Sequence, residues 1–139
     1  MTRPMTRRGT YLASRASLPA RSAAWRRLRD VDGYEITSSW IDEAGAGETA
    51  DLEALWSRIS AEVAQSERLV LYVEAEDFPL KGALVEVGMA LAYGLKIYVV
   101  APDVVLEPVS FRPLGSWIRH PQVRCASSID TALFGAAKR

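Results

Sequence analysis

Residues 81–94 constrain this chain more than any other stretch. Good helix formers dominate them, and Gly94 followed by Lys96 supplies a carboxyl-terminal stop. Apolar residues occupy nearly every face, which predicts a helix buried on most sides. Glu86 is the only charge between Lys81 and Lys96. It falls in the amino-terminal half, where the helix dipole favours an anion. A carboxylate on such a helix must be hydrogen-bonded, paired or functional, because an unpaired buried charge is too costly to keep. Gly82, Ala83, Gly88, Ala90 and Ala92 are small enough to let the helix lie close to a sheet or a ligand.

The flanking segments supply the sheet. Residues 68–73 form a continuous apolar run, the pattern of a central parallel strand covered on both faces, and 96–101 read as the next strand. Upstream, 9–14 read as the first strand and 20–29 as a helix. That helix carries Trp25 and Leu28 on one face and turns Arg21, Arg26, Arg27 and Arg29 to solvent. Residues 34–41, β-branched and aromatic, predict a second strand. A glycine- and acid-rich loop, 42–50, leads to a helix over 51–65, in which Leu52, Leu55, Trp56, Ile59 and Val63 follow helical spacing. Downstream, 122–126 give a short fifth strand, and Ser127 or Ser128 caps a last helix with Asp130 in its first turn. Alternation of strand and helix predicts an α/β three-layer sandwich around a parallel sheet. Five strands favour the flavodoxin-like order 2-1-3-4-5. Residues 1–8 read as a disordered basic leader and 9–139 as a single domain.

Bulk properties narrow the function. Lys plus Arg and Asp plus Glu balance at 17 each, which gives no general attraction to a nucleic acid polymer. The single cysteine, Cys125, excludes an internal disulfide, reads as a buried small hydrophobe and fits a reducing cytoplasm. No apolar run reaches the roughly 18–20 residues that span a bilayer. One histidine and one cysteine, far apart, make no zinc site, and no cofactor motif is present. Residues 102–121 are irregular and proline-rich. Phe111 and Trp117 within them have no evident core to enter, which points to a homo-oligomer built from dimers.

Open α/β sheets bind ligands beyond the carboxyl ends of their strands, beside a switch point. Three loops should meet there: 14–17, 38–42 and 74–82. They bring Ser14, Arg15, Ser17, Ser39, Trp40, Asp77 and Gly82 towards Glu86. Ser14, Arg15 and Ser17 suit an anion such as a phosphate, through hydroxyls, loop amides and a guanidinium. A solvated loop with a helix cap fits them equally well. Ser39 and Trp40 can line a pocket for a flat ring, and Trp40 fits the core as readily. His120 in the proline-rich segment reads as structural.

Tyr11-Leu12-Ala13-Ser14, Ser38-Ser39-Trp40, Leu69-Val70-Leu71-Tyr72, the segment from Gly82 through Glu86 and Gly88 to Ala90, and Lys96-Ile97-Tyr98-Val99-Val100 occur in a telling order and spacing. In these residues the chain resembles the nucleoside 2-deoxyribosyltransferase family, including the related 2′-deoxynucleoside 5′-phosphate N-hydrolases. The resemblance covers roughly residues 10–101. It implies cleavage of the N-glycosidic bond of a deoxynucleoside or its monophosphate, with Glu86 as the nucleophile and Tyr11 positioning it. The family carries two further aspartates that serve sugar and base. Here one position is Glu67, and the other falls on or beside Leu80 and Lys81, with Glu76 and Asp77 nearby. The same resemblance admits a noncatalytic nucleotide-binding or sensing module. An α/β scaffold with no nucleotide ligand is the third reading.

Overall fold

The computed structural model describes residues 6–43 and 51–139. Most of the predicted leader, residues 1–5, and most of the predicted acidic loop, 44–50, lie outside the described residues. Arg7 and Arg8, at the leader's end, are bonded to the domain: Arg7 donates to the Tyr93 carbonyl and Arg8 pairs with Glu35.

Four strands form one sheet, β1 (Thr10–Ala13), β2 (Arg68–Tyr72), β3 (Lys96–Val100) and β4 (Val123–Ala126). They are all parallel and lie in the order β1-β2-β3-β4. The helices are α1 (Pro19–Asp30), α2 (Leu52–Gln65), α3 (Gly82–Tyr93) and α4 (Ile129–Ala132). The register aligns Tyr11, Leu69 and Ile97 across the sheet, so these share a face. Alternation puts Arg68, Val70 and Tyr72 on the opposite face. There Tyr72 meets Trp25 of α1, with ring centroids 5.2 Å apart, and Arg68 donates to the Ala132 and Phe134 carbonyls at the end of α4. Helices α2 and α3 pack together beneath the other face. The result is the expected three-layer α/β arrangement.

The expected five strands reduce to four among the described residues. The segment predicted as strand two touches β1 through a single parallel bridge, Thr10 to Ile36, and then turns into a 3-10 helix, Ser39–Asp42. Side chains explain the break. The Ser38 hydroxyl accepts the Leu12 N–H at 3.1 Å, and the Trp40 indole donates to the Leu12 carbonyl at 2.8 Å. Both outward-facing backbone groups of Leu12 are thereby satisfied without a ladder. On its other side this segment meets the chain's end, where Tyr34 forms an antiparallel bridge with Lys138.

Three burial expectations are corrected. Helix α3 buries only Glu86, Val87 and Ala90, while Leu84 and Val85 stand 39% and 50% exposed. A helix in an outer layer presents one face to the sheet, however apolar its other faces are. Cys125 is exposed, because β4 lies at the edge of the sheet. Phe111 and Trp117 do find a core, packing against it beside the buried Leu114 and Ile118. They no longer argue for an oligomer.

Helix ends follow the sequence. Asp51 caps α2 by accepting the Ala54 N–H, and Ser128 rather than Ser127 caps α4 by accepting that of Thr131. Gly94 ends α3 at φ 79°, where its N–H reaches the Ala90 and Leu91 carbonyls, so the left-handed turn explains the glycine. Among the described residues no helix is long and apolar enough to cross a membrane.

Candidate functional site

β1 and β2 end side by side, and the loops that leave them enclose a crevice of about 630 Å³. The β1 loop contributes Ser14, Arg15, Ala16 and Ser17, and the β2 loop contributes residues 76–81. The first turns of α3 close it with Gly82, Ala83 and Glu86. Six of the nine residues singled out from the sequence therefore line one cavity: Ser14, Arg15, Ser17, Asp77, Gly82 and Glu86.

Tyr11 lies beneath the crevice, fully buried on the α3 side of the sheet, and its hydroxyl faces the Glu86 carboxylate. Glu86 is 7% exposed, and neither its Oε2 nor Tyr11 Oη has a hydrogen-bond partner of standard geometry. The two groups are close enough for the hydroxyl to pull the carboxyl's pKa down. Burial outweighs that effect. It pushes the Glu86 pKa up to about 7, with a further upward contribution from the charge of Glu62. The tyrosine is pushed upward as well, by burial first and then by the Glu86 charge.

Ser39 and Trp40 do not line the crevice. Trp40 is buried with its indole committed to Leu12, and Ser39 is held through its backbone N–H by Glu62 at 3.1 Å. Their loop is drawn along the edge of β1 by the bonds that replace the ladder. Gly82 lines the wall, where an added Cβ would meet only ordinary contact with Trp56 at 3.5 Å.

Asp77 has a definite second partner set. Its Oδ2 accepts from Arg21 at 2.6 Å and from the Glu74 N–H at 2.8 Å, with Arg15 at 3.9 Å from Oδ1. Arg21, expected in solvent, is buried. It spans from α1 to both loops, reaching Ser14 Oγ at 3.4 Å and Glu74 Oε2 at 3.1 Å, and lies 5.1 Å from the Tyr72 ring centroid. Tyr72 donates to Glu74 at 2.7 Å, and its pKa is pushed up to about 12 by burial and by that bond. This network fixes the crevice walls. Arg21 stands four residues before Trp25, on the same face of α1, and that spacing was its one sequence signal.

The two positions that the resemblance matched to aspartates, Glu67 and the Leu80–Lys81 neighbourhood, separate. Glu67 precedes β2 at the amino end of the sheet, paired with Lys96 at 3.2 Å, away from the crevice. Lys81 lines the crevice wall. Glu62 is the carboxylate that sequence reasoning passed over. It adjoins Val63 on the inner face of α2, and its charge reaches both Tyr11 and Glu86.

Among the described residues no grouping of histidine, cysteine, aspartate and glutamate is arranged to hold a metal. The cavity offers a buried carboxylate at its floor, an apolar wall from Phe78, Pro79 and Leu80, and cations at its rim. It suits a small ligand with a polar centre and a flat apolar part. No protein-family model matches the chain, and no curated protein matches it.

Proposed function

We propose that this protein cleaves the N-glycosidic bond of a 2′-deoxynucleoside or its 5′-monophosphate, with Glu86 as the nucleophile. One observation carries the reading: a carboxylate without a basic partner, Glu86, is buried at the floor of a crevice at the strands' carboxyl ends, apposed to Tyr11. A Glu86 oxygen bonds to C1′ as the C1′–N bond breaks, and the bonding pair leaves with the base. The oxocarbenium character that develops at the sugar is stabilised by the adjacent carboxylate before it is trapped. Water or a second base then attacks C1′ and releases Glu86. Tyr11 orients the carboxylate, and Ser14, Arg15 and Ser17 receive a 5′-phosphate.

The edge position of residues 34–38 beside β1 supports a flavodoxin-like arrangement in which that segment stands for strand two. The exposed apolar face of α3, with Leu84, Val85 and an unobstructed Gly88, supports a dimer-built homo-oligomer, and the single cysteine fits a cytoplasmic setting. A monomer by light scattering at micromolar concentration counts against that assembly.

Incubation with a panel of deoxynucleosides and monophosphates, with and without an acceptor base, tests the chemistry through chromatographic base release. Glu86→Gln and Glu86→Ala should lose turnover by orders of magnitude, and Tyr11→Phe should lose less. Wild-type turnover in Glu86→Gln on a substrate the protein cleaves would refute the reading. One observation favours a sensing module instead: Lys81 occupies the neighbourhood of a family acid, and Glu67 is far away. That reading expects a nucleotide-dependent rise in melting temperature and no base release.

A further inference from the structure

We infer that Lys81 makes the crevice selective for nucleobases that carry an oxo group, a specificity that rests on the nucleoside reading of the site. Lys81 lines the same cavity as Glu86, on the stretch between the apolar wall and the first turn of α3. It is exposed, and among the described residues no side chain pairs or bonds with it. It does not cap its own helix through its side chain, so the ammonium has no structural task there.

The chemistry of the wall then sets a preference. Phe78, Pro79 and Leu80 offer apolar surface to the faces of a flat ring. An ammonium brings three donors and no acceptor. It bonds to the 6-oxo group of hypoxanthine or guanine, whereas the 6-amino group of adenine meets it donor to donor. Asp77 does not reverse this, because its Oδ2 is held by Arg21 and the Glu74 N–H, and its Oδ1, which has no hydrogen-bond partner, is shut off from the crevice surface beside Arg15 at 3.9 Å. Glu76, the exposed acid on the same loop, would favour the amino group and is the competing determinant. As the C1′–N bond breaks, the bonding pair moves onto the base and partly onto its oxo oxygen. The Lys81 hydrogen bond strengthens as that charge grows, and the base takes its proton from water after departure. The lysine proton is not transferred.

Deoxyinosine and deoxyadenosine, with their 5′-monophosphates, differ in the base at position 6 and isolate the effect. Affinity by calorimetry and base release by chromatography should be measured for the wild type, Lys81→Met, Lys81→Arg and Glu76→Gln. The expected result is a wild-type preference for the hypoxanthine ligands of about 10- to 100-fold, the range of one hydrogen bond to a charged group. Lys81→Met should collapse the ratio towards one, and Lys81→Arg should retain most of it. Oxo preference in binding without any base release would sink the glycosidase reading and leave the specificity standing. Base release with equal use of both bases would do the opposite. Loss of monophosphates regardless of base in Lys81→Met would assign the lysine to the phosphate and overturn the inference. An adenine preference abolished by Glu76→Gln, or no binding of any of the four ligands, overturns it as well.

Discussion

Replacing Glu86 with glutamine should stabilise the protein, and the gain should depend on pH in a stated direction. The carboxyl is 7% exposed, and burial, supported by the Glu62 charge, raises its pKa from 4.5 to about 7 against the opposing pull of Tyr11. A folded-state pKa above the unfolded one means that the native protein holds the proton more tightly. Below about pH 4.5 both states are protonated and the burial carries no charge penalty. As pH rises from about 4.5 to 7, the unfolded chain ionises first and native stability falls. Above about 7 the whole penalty is present, about 3 kcal/mol at about 1.4 kcal/mol per pKa unit. Glutamine keeps the shape and does not titrate. The stability difference between Glu86→Gln and wild type should therefore grow by about 3 kcal/mol between pH 4.5 and 8, then level off. For a domain of this size that is about 10 °C in melting temperature. Asp30, Asp42 and Glu67, whose pKa values are lowered by their basic partners, titrate alike in both proteins and cancel. Urea unfolding of the pair at half-unit pH steps gives the curve directly. A difference that stays flat, or a wild type that gains on the variant as pH rises, would refute the burial argument.

Arg21→Met should destabilise the fold by about 3–5 kcal/mol in urea unfolding, because it leaves Asp77 buried without its cation, and adding Asp77→Asn should restore part of the loss. Trp40→Phe should cost about 1–3 kcal/mol by the same measurement, since the Leu12 carbonyl loses its donor inside the protein. Arg15→Ala should weaken a deoxynucleoside monophosphate by about tenfold or more and the matching nucleoside little, as judged by calorimetry; equal losses would remove Arg15 from the phosphate.

The sheet was legible because its signals are strong and local. The apolar run over β2 has every residue from Arg68 to Leu71 buried, as a strand covered on both faces requires. Glu86 stood out because it is the single charge on an apolar helix, and the crevice follows from where β1 and β2 end. The segment after α1 misled because β-branched and aromatic residues signal extended backbone without saying what fills its hydrogen bonds. Ser38 and Trp40 fill those of Leu12 with side chains, and no periodicity encodes that choice. Arg21 misled for a related reason. An arginine reads as solvated until its partners are known, and Glu74 and Asp77 lie more than fifty residues further along the chain. Long-range charge pairing is a property of the assembled loops.

The cost of burying Glu86 bears directly on the proposed chemistry. A carboxylate with a pKa of about 7 is about half ionised near neutrality, so the nucleophilic form is available without being favoured. Its ionised form is poorly solvated, since Glu86 is 7% exposed and its Oε2 has no hydrogen-bond partner. Positive charge developing at a deoxyribose C1′ would supply the missing counter-charge at the moment of bond breaking. The neutral ground state of the sugar supplies none. Burial that weakens the free protein would thus be relieved selectively in the transition state, and only such differential interactions accelerate a chemical step. A surface carboxylate, already solvated, would gain less from the same cation. The depth of Glu86, which makes it a liability for folding, is on this account what suits it to the reaction.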